Sequence, residues 1–401
     1  MNFEYQCIEC GRKYEIEQNI LYVCPVCSMS QKPMEPIRGG LRIILPYNKL
    51  SAKLDRYTFH PHDLLPIEAE FLPTYPVGNT PLIAPGQIRL EQNFPQLFLK
   101  DESSNPTGSL KDRASFLVAA VAKKLGANRI AVASTGNAAS AMAGVAAFCG
   151  LDCIIFVPQN APKAKLAQSL IYGAKVIPIK DNYDKAFELS LEFTEKHKCI
   201  NRNTAYNPFT IEGKKTAALE IFIQLDYQVP DVIFIPTGDG AILSGIYKGF
   251  YDLYQFDWIE KVPQLIAAQA EGSNAIVRGI TSGNIEPLKN ASTIADSIRV
   301  AAPRNGLMAL KDINSSCGFG VSVSDEEIVY AQQYLGKKAG LFVEPAAACA
   351  FAGFLKAKEK LDNNLKIVIL LTGNGLKDTA VALDNLKIPE PVEPSIENVF
   401  L

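Results

Sequence analysis

Residues 105–113 read Asn-Pro-Thr-Gly-Ser-Leu-Lys-Asp-Arg, and this segment gives the strongest indication of the fold. The apolar run at 97–99 before it predicts a strand, and the Asn-Pro and Thr-Gly pairs predict a tight loop. Alanine, phenylalanine, leucine and valine then recur at helical spacing from Lys111 to Lys124. The dipole at a helix N-terminus disfavours a cation, which makes it easier for Lys111 to lose its proton. A neutral lysine amine is the group that Schiff-base chemistry requires.

On residue type alone, a lysine at a helix start is more often a solvated surface group. The whole stretch, however, closely resembles the lysine loop of the fold-type II pyridoxal-phosphate enzymes. The Asn-Pro and Asp-Arg pairs that flank it are most similar to those of threonine synthases. The resemblance covers residues 76–378 and the N-terminal cysteines, in motif order. It implies that Lys111 is the catalytic residue and binds pyridoxal 5'-phosphate covalently.

Composition limits the class of protein. A chain of 401 residues predicts two or three domains, and its 48% hydrophobic and 20% charged residues are typical of a globular enzyme. A net charge of -2 gives no general attraction to nucleic acid or to an anionic membrane. No apolar run predicts a membrane span, and the first residues do not resemble a signal peptide. We therefore expect a cytoplasmic enzyme with a small-molecule amino-acid substrate; the oligomeric state is left open, a homodimer included.

Four of the nine cysteines lie in the first 27 residues as two Cys-x-x-Cys pairs, Cys7 with Cys10 and Cys24 with Cys27. Such a pair of knuckles can bind one tetrahedral zinc ion, which predicts an N-terminal zinc ribbon with a structural role. The alternatives are a pair of disulfides or a knuckle that has lost its metal. The ribbon lacks a basic cluster, so the sequence gives no sign of nucleic-acid binding.

Short buried strands alternate with helical patterns from residue 97 onward, which predicts parallel α/β sheets. The resemblance implies an α/β fold of the fold-type II, tryptophan synthase β-like kind, with two α/β three-layer domains and the N-terminal zinc ribbon. The predicted divisions are a ribbon at 1–32, a large cofactor-binding domain at 33–115 and 209–390, and a small α/β domain at 116–208. The predicted strands are 129–133, 153–157, 175–179, 231–236, 264–268 and 367–371.

Ser134-Thr135-Gly136-Asn137 follows one of these strands and precedes a helix of small residues that runs to Cys149. Free backbone N–H groups and hydroxyls at a helix start bind anions well, although simple N-capping would use the same residues. The segment resembles the substrate loop of the family. By that match, Ser134, Thr135 and Asn137 hold the amino-acid carboxylate, and Asn137 also contacts the hydroxyl of the cofactor ring.

A second strand–loop–helix junction carries Thr237-Gly238-Asp239-Gly240-Ala241. Glycines allow backbone amides to approach a phosphate, and the helix dipole adds to the attraction. The loop resembles in position the phosphate-binding loop of fold-type II enzymes, which implies that Gly238, Asp239, Gly240 and Ala241 bind the cofactor phosphate. Asp239 departs from the family pattern, and we expect its carboxylate to point away from that phosphate. No Gly-x-Gly-x-x-Gly pattern is present, which disfavours a dinucleotide site.

Leu371-Thr372-Gly373-Asn374-Gly375-Leu376-Lys377-Asp378 closely resembles a threonine synthase segment. The match implies that the Thr372 hydroxyl meets the pyridine nitrogen of the cofactor. A neutral hydroxyl moderates the electron-withdrawing strength of the ring, because it does not force the nitrogen to be protonated. The alternative is a turn hydroxyl that follows a strand.

One segment departs from the family. Asn207-Pro208-Phe209-Thr210 resembles an Asn-Pro-Tyr-Arg segment whose arginine binds the substrate phosphate. Thr210 stands at that position, and a hydroxyl does not replace a bidentate guanidinium. Lys214 and Lys215 are the nearest cations along the chain, and a lysine can compensate for the missing arginine because its ammonium binds phosphate as a point charge. Thr210, Lys214 and Lys215 are therefore predicted to lie at the substrate.

The resemblance implies conversion of O-phospho-L-homoserine and water to L-threonine and phosphate by a pyridoxal-phosphate-dependent carbon–oxygen lyase. An alternative within the fold is a serine or threonine dehydratase or a β-replacement synthase. A further alternative is a non-catalytic zinc-ribbon binding protein.

Overall fold

The computed structural model describes residues 3–15, 19–161, 163–181, 183–392 and 394–396. The strands are β1 (Glu4–Cys7), β2 (Lys13–Glu15), β3 (Leu41–Ile44), β4 (Leu82–Ile83), β5 (Leu97–Asp101), β6 (Arg129–Ala133), β7 (Asp152–Pro158), β8 (Lys175–Ile179), β9 (Ile200–Asn201), β10 (Val232–Pro236), β11 (Gln264–Ala270), β12 (Phe319–Val323) and β13 (Ile367–Leu371). The helices are α1 (Tyr47–Ser51), α2 (Gly86–Gln92), α3 (Lys111–Lys124), α4 (Asn137–Cys149), α5 (Lys163–Ile171), α6 (Tyr183–His197), α7 (Phe209–Gln224), α8 (Ala241–Gln255), α9 (Ala275–Ser282), α10 (Gly306–Ser315), α11 (Asp325–Ala339), α12 (Pro345–Ala357) and α13 (Thr379–Asp384). Short 3₁₀ turns lie at Cys27–Ser30, Pro61–Leu64, Ala69–Phe71, Glu102–Ser104, Glu271–Ser273, Asp296–Ile298, Lys358–Lys360 and Gly375–Lys377.

The N-terminal segment forms a small antiparallel sheet in the order β2-β1-β3. Tyr5 on β1 lies opposite Tyr14 on β2 and Ile43 on β3. Its ring also packs edge to face with Phe209 at the start of α7, with 6.5 Å between the ring centroids. The sheet therefore continues to Ile44, past the predicted end of the ribbon at residue 32, and rests on the enzyme body.

A larger sheet has the order β12-β11-β10-β13-β5-β4, parallel throughout except for β4. Its central strands are buried on both faces, as in other parallel sheets, and so they read as continuous apolar runs. Ile233 and Val368 face the layer that contains α7 and α8. Phe234 and Ile369 face α12 on the other side. This alternation produces a three-layer arrangement.

The second parallel sheet has the order β8-β7-β6-β9. Ile130 and Val132 on β6 pack toward α3 and α4, whereas Ala131 and Ala133 pack toward α6. This sheet lies in sequence within the predicted small domain, and α3 runs across the predicted boundary at 115–116. The division into domains at those residues stays a prediction.

Helices α3 and α7 pack against each other between the two parallel sheets, and buried charges join them. Arg113 on α3 donates to Glu102 at 2.6 and 2.7 Å and to Glu220 on α7 at 2.7 Å. Lys100 adds a 2.8 Å contact to Glu220. Two cations and two carboxylates therefore fix the first turns of α3, which carry Lys111. Within the described residues, no helix has both the length and the apolar character needed to cross a membrane.

Candidate active site

A cavity of about 660 Å³ opens at the carboxyl ends of β6 and β10, where ligands of parallel α/β folds bind. Its lining includes the partly exposed Lys111, the loop 134–138 and the loop 237–241. Three sequence-predicted segments that are far apart in the chain are thus brought together. A second cavity, of about 440 Å³, adjoins the first at Asn137.

Lys111 begins α3, as the sequence predicted. Two hydrogen bonds from Thr107 to Asp112 hold the loop before it, and the N–H of Leu110 donates to the Thr372 carbonyl at 2.9 Å. The Lys111 ammonium has no hydrogen-bond or ion-pair partner among the described residues. Burial, and to a smaller extent the nearby charge of Arg202, lowers its pKa to about 8 against the opposing effects of Glu344 and Asp239. The lysine is therefore fixed at its backbone, free at its tip and easily deprotonated.

The loop 134–138 connects β6 to α4 and turns around Ser134, whose hydroxyl accepts the N–H of Gly136 at 3.2 Å. Ser134 and Thr135 line the larger cavity, so their positions agree with a carboxylate-binding role. The Asn137 side chain, which begins α4, donates to both carboxylate oxygens of Glu344 at 3.1 and 2.9 Å. Ser297 donates to the same carboxylate at 3.2 Å.

Glu344 lies in the segment Phe342-Val343-Glu344-Pro345-Ala346, which resembles a family segment that lines the cofactor ring, but the sequence assigned no separate role to this glutamate. It lies just before α12, and burial raises its pKa. Its carboxylate holds the amide of Asn137 in one orientation, so the carbonyl oxygen of that amide points away from Glu344. The sequence did not show the pairing of Glu344 with Asn137, because the two residues are 207 positions apart in the chain.

The loop 237–241 leads from β10 into α8 with no room for side chains at its two glycines. Gly240 has φ +89°, and a Cβ there would lie 2.7 Å from the Cβ of Ala309. A Cβ on Gly238 would lie 2.8 Å from the Cα of Ile298. This geometry leaves the backbone amides at the start of α8 open to an anion, which fits the phosphate of pyridoxal phosphate.

Asp239 lies in the same loop, and its carboxylate accepts the backbone N–H of Arg304. Its backbone carbonyl accepts the N–H of Asn305 at 3.1 Å. Asp239 is thereby held by the segment before α10, although it still lines the cavity. Burial raises its pKa.

Thr372 follows β13 and is buried beside the lysine loop, outside the residues that line either cavity. Its carbonyl accepts from Leu110, and its hydroxyl forms no hydrogen bond in the described part of the chain. The neighbouring Ser109 hydroxyl is buried without a partner. The unpaired hydroxyls of Thr372 and Ser109 could therefore form hydrogen bonds with the polar edge of a bound pyridine ring.

The structure separates the two lysines that the sequence placed at the substrate. The Lys215 ammonium is fully buried between Glu212 at 2.5 Å and Asp252 at 2.7 Å, so its charge is already balanced. The Lys214 ammonium is also fully buried, but its partner is the neutral carbonyl of Thr210 at 3.1 Å. The hydroxyl of Thr210 donates within its own helix turn to the Asn207 carbonyl. None of the three lines either cavity.

The four N-terminal cysteines converge as the spacing predicted. All their sulfur atoms lie within 4.8 Å of one another. Cys7 is 3.8 Å from Cys27, and Cys10 is 3.9 Å from Cys24, sulfur to sulfur. A tetrahedron with zinc–sulfur bonds of about 2.3 Å has edges of about 3.8 Å, so this donor set fits zinc. The cysteines form no disulfides with one another.

The model of the family described as "Pyridoxal-phosphate dependent enzyme" matches residues 73–373. The chain belongs to this family. The match includes the lysine, the substrate loop and the glycine loop described above.

Curated relatives resemble the whole chain. The threonine synthase of Methanocaldococcus jannaschii is 36% identical over 402 residues, which cover 97% of this chain and 96% of that protein. The threonine synthase of Methanosarcina acetivorans is 34% identical over 408 residues, which cover 99% of this chain and 98% of that protein. The predicted resemblance to threonine synthases is therefore confirmed.

Solved structures share the fold at lower identity. A serine racemase from Dictyostelium discoideum has a TM-score of 0.64 and 25% identity, covering 74% of this chain and 92% of that chain. The processed form of threonine deaminase isoform 2 from Solanum lycopersicum has a TM-score of 0.66 and 21% identity, covering 76% of this chain and 86% of that chain. The prediction of a fold-type II α/β architecture is confirmed.

Proposed function

We propose that this enzyme is a threonine synthase, which converts O-phospho-L-homoserine and water to L-threonine and phosphate. The observation that carries the proposal is an unpartnered Lys111 ammonium in a cavity between a glycine loop and the 134–138 loop, in a chain whose full length resembles threonine synthases. Because Thr210 replaces the arginine of the family, another residue must bind the substrate phosphate.

Bound pyridoxal phosphate supplies an electron sink that stabilises negative charge on the substrate carbons. The loop 237–241 at the start of α8 would bind the cofactor phosphate. Asn137, oriented by Glu344, would contact the ring hydroxyl, and the Thr372 hydroxyl would meet the ring nitrogen. Contacts within the protein fix the loop 237–241, the Asn137 amide and the backbone of Thr372. These groups would therefore orient the ring before the substrate arrives.

Lys111 would remove the proton from the Cα atom of the substrate, because its lowered pKa leaves a useful fraction of the neutral amine. Ser134 and Thr135 would hold the substrate carboxylate. The bond between Cγ and the phosphate oxygen breaks, and phosphate leaves with the bonding electron pair. Cβ would lose one of its two protons, and Cγ would gain a proton and become the methyl group. The oxygen of a water molecule would bond to Cβ to give the hydroxyl of threonine, while that water loses a proton and Cα regains the proton that it lost.

The test is release of phosphate and of ammonia from four substrates: O-phospho-L-homoserine, phosphoserine, serine and threonine. We expect phosphate and threonine from the first alone. Ammonia from serine or threonine as the main product would instead indicate a dehydratase, the alternative that Thr210 favours. No turnover of any of them, with no visible absorbance from bound cofactor, would favour a non-catalytic protein.

We also propose that Cys7, Cys10, Cys24 and Cys27 bind one structural zinc ion. Four thiolates leave no open coordination position, so the ion would not take part in chemistry. The free state of all nine cysteines supports a reducing compartment, and we propose the cytoplasm. Light scattering at several protein concentrations would decide between a monomer and a homodimer.

A further inference from the structure

Arg202 is a fully buried cation without a carboxylate partner. It follows β9 directly, and its side chain is 0% exposed. Its guanidinium donates to the Thr204 hydroxyl at 2.7 Å, to the Ser115 hydroxyl at 3.2 Å and to the Lys111 carbonyl at 3.4 Å. All three acceptors are neutral. In the described part of the chain, no carboxylate oxygen lies within the 4.0 Å of an ion pair.

The surroundings of Arg202 add positive charge. After the larger effect of burial, the charge of Arg202 lowers the pKa of both Lys111 and Lys214, and the charge of Lys111 also lowers the pKa of Lys214. Lys214 also lacks a carboxylate partner among the described residues and donates to the carbonyl of Thr210. Three basic side chains therefore meet behind the first turn of α3, and burial lowers the pKa of Lys214 well below its ordinary value. Asp112 acts on Arg202 with opposing charge, and Asp239 acts so on the two lysines. The Asp112 carboxylate accepts both hydrogen bonds from Thr107, however, and the Asp239 carboxylate is bound to the segment before α10.

Such an arrangement is unfavourable unless an anion completes it. Burying an uncompensated charge is strongly unfavourable, so buried cations are normally paired. The group adjoins the larger cavity through Thr204 and Lys111, which both line it. Arg202 itself does not line the cavity, but its guanidinium donates to the hydroxyl of Thr204, which does.

We propose that Arg202 binds the phosphate group of the substrate and replaces the arginine that Thr210 lacks. This inference rests on the proposed function and identifies the residue that selects a phosphorylated amino acid. The guanidinium offers a planar pair of N–H donors that matches two phosphate oxygens, which an ammonium does not. Lys214 adds a point charge beside it.

The cofactor also carries a phosphate, and the position of Arg202 argues for the substrate phosphate. The amides that suit the cofactor phosphate lie at the start of α8, in the larger sheet unit. Arg202 belongs to the edge of the other sheet, after β9, and its neighbour Thr204 faces the cavity. The two phosphates would thus be bound by different elements.

The test compares the holoenzyme with the variants Arg202→Gln, Arg202→Lys and Arg129→Gln. Arg129 is a matched control, because it is a half-exposed arginine on the same sheet and is paired with Asp152 at 3.4 Å. Three quantities are measured: KM for O-phospho-L-homoserine, inhibition by inorganic phosphate, and the Kd for pyridoxal phosphate. We expect Arg202→Gln to raise KM and the phosphate inhibition constant by roughly tenfold to a hundredfold, with the cofactor Kd changed less than about threefold. Arg202→Lys should fall between, and Arg129→Gln should match the wild type.

The opposite pattern would overturn the inference. A large rise in the cofactor Kd with an unchanged KM would assign Arg202 to the cofactor phosphate. A lower melting temperature with unchanged KM and unchanged inhibition would give Arg202 a structural role alone. If Arg202→Gln does not fold, Arg202→Lys decides, because it keeps the charge and loses the planar fork; wild-type values for it would contradict the proposal.

Failure of the proposed function gives a different result. If the wild type does not turn over O-phospho-L-homoserine, the kinetic arm is lost, but inorganic phosphate remains a probe. Phosphate that raises the melting temperature of the wild-type holoenzyme and not that of Arg202→Gln would support an anion site at Arg202. Equal stabilisation of both proteins would refute that site.

Discussion

Arg113, on helix α3, and Arg202, packed beside the same helix, are both buried, but they differ in what balances their charge. Arg113 donates to both Glu102 and Glu220, and Lys100 completes a group of two cations and two carboxylates. Arg202 meets hydroxyl and carbonyl oxygens, with two further cations near it. One group is complete within the protein, whereas the other lacks an anion.

The difference separates a structural group from a binding group. A compensated group adds rigidity and has no use for a ligand, and Arg113 accordingly joins α3 to α7 below the active site. An uncompensated group keeps its attraction for a ligand of opposite charge, at the expense of stability when that ligand is absent. The four cysteine sulfurs of the ribbon form a second group that a ligand of opposite charge would complete, because they lie within 4.8 Å of one another and metal binding requires their thiolate form.

The largest effect is expected at Lys111, the member of the uncompensated group that lies in the cavity. Lys111→Ala should lower turnover by about four orders of magnitude or more, because it removes both the cofactor-binding amine and the proton carrier. The visible absorbance of lysine-bound cofactor should disappear, while far-UV circular dichroism stays unchanged. Lys123→Ala, at the other end of α3, is the control. Normal turnover of Lys111→Ala would remove this lysine from the mechanism.

Removal of zinc is expected to have the next largest effect, confined to the ribbon. Metal analysis should give one zinc per chain, and a chelator should open the sheet β2-β1-β3, because metal binding to such sites supplies of the order of 10 kcal/mol in isolated zinc fingers. Hydrogen exchange at Tyr5 and Tyr14 measures the opening, with Ile369 in the large sheet as the internal control. Turnover should fall much less than with Lys111→Ala. Purified protein without zinc, or with disulfides among these cysteines, would contradict the zinc site.

The two arginines should respond differently to the same substitution. Arg113→Gln leaves Glu102 and Glu220 buried with less compensation, which should lower the free energy of unfolding by about 3–5 kcal/mol. Arg202→Gln removes an unbalanced charge, so the ligand-free protein should change by less than about 1 kcal/mol or gain stability. Urea unfolding of both variants measures the difference. Equal losses would show that Arg202 is compensated after all.

The smallest effect is a shift in pH dependence. Burial and the Arg202 charge hold the pKa of Lys111 at about 8, so the neutral amine becomes the main form above that pH. The rate at which apoenzyme captures pyridoxal phosphate should therefore rise through pH 8 and level off. Arg202→Gln removes a nearby positive charge, which raises the pKa of Lys111 and should move the midpoint to higher pH by up to about one unit. A midpoint that moves to lower pH would show that Arg202 does not act on Lys111 by its charge.

The sequence predicted elements wherever local pattern decides the conformation. The helix at 111–124 and the strands at 129–133, 175–179 and 367–371 begin and end at the predicted residues. The boundaries of these elements are predictable because they depend on apolar periodicity and on loop residues only a few positions away in the chain. Strand β3 was missed, because it forms by pairing with β1 across more than thirty residues of chain.

The sequence alone was sufficient for the family and the cysteine set, and it predicted Lys111 as the catalytic residue, because each of these depends on a short motif. Only the tertiary structure decided which charges are balanced. Lys214 and Lys215 are adjacent in the chain, yet Lys215 is neutralised by Asp252 from α8 while Lys214 is not. Arg202 gave no motif at all. The role of Arg202 depends on how far its guanidinium lies from the nearest carboxylates. Packing between helices and sheets that are distant in sequence sets those distances.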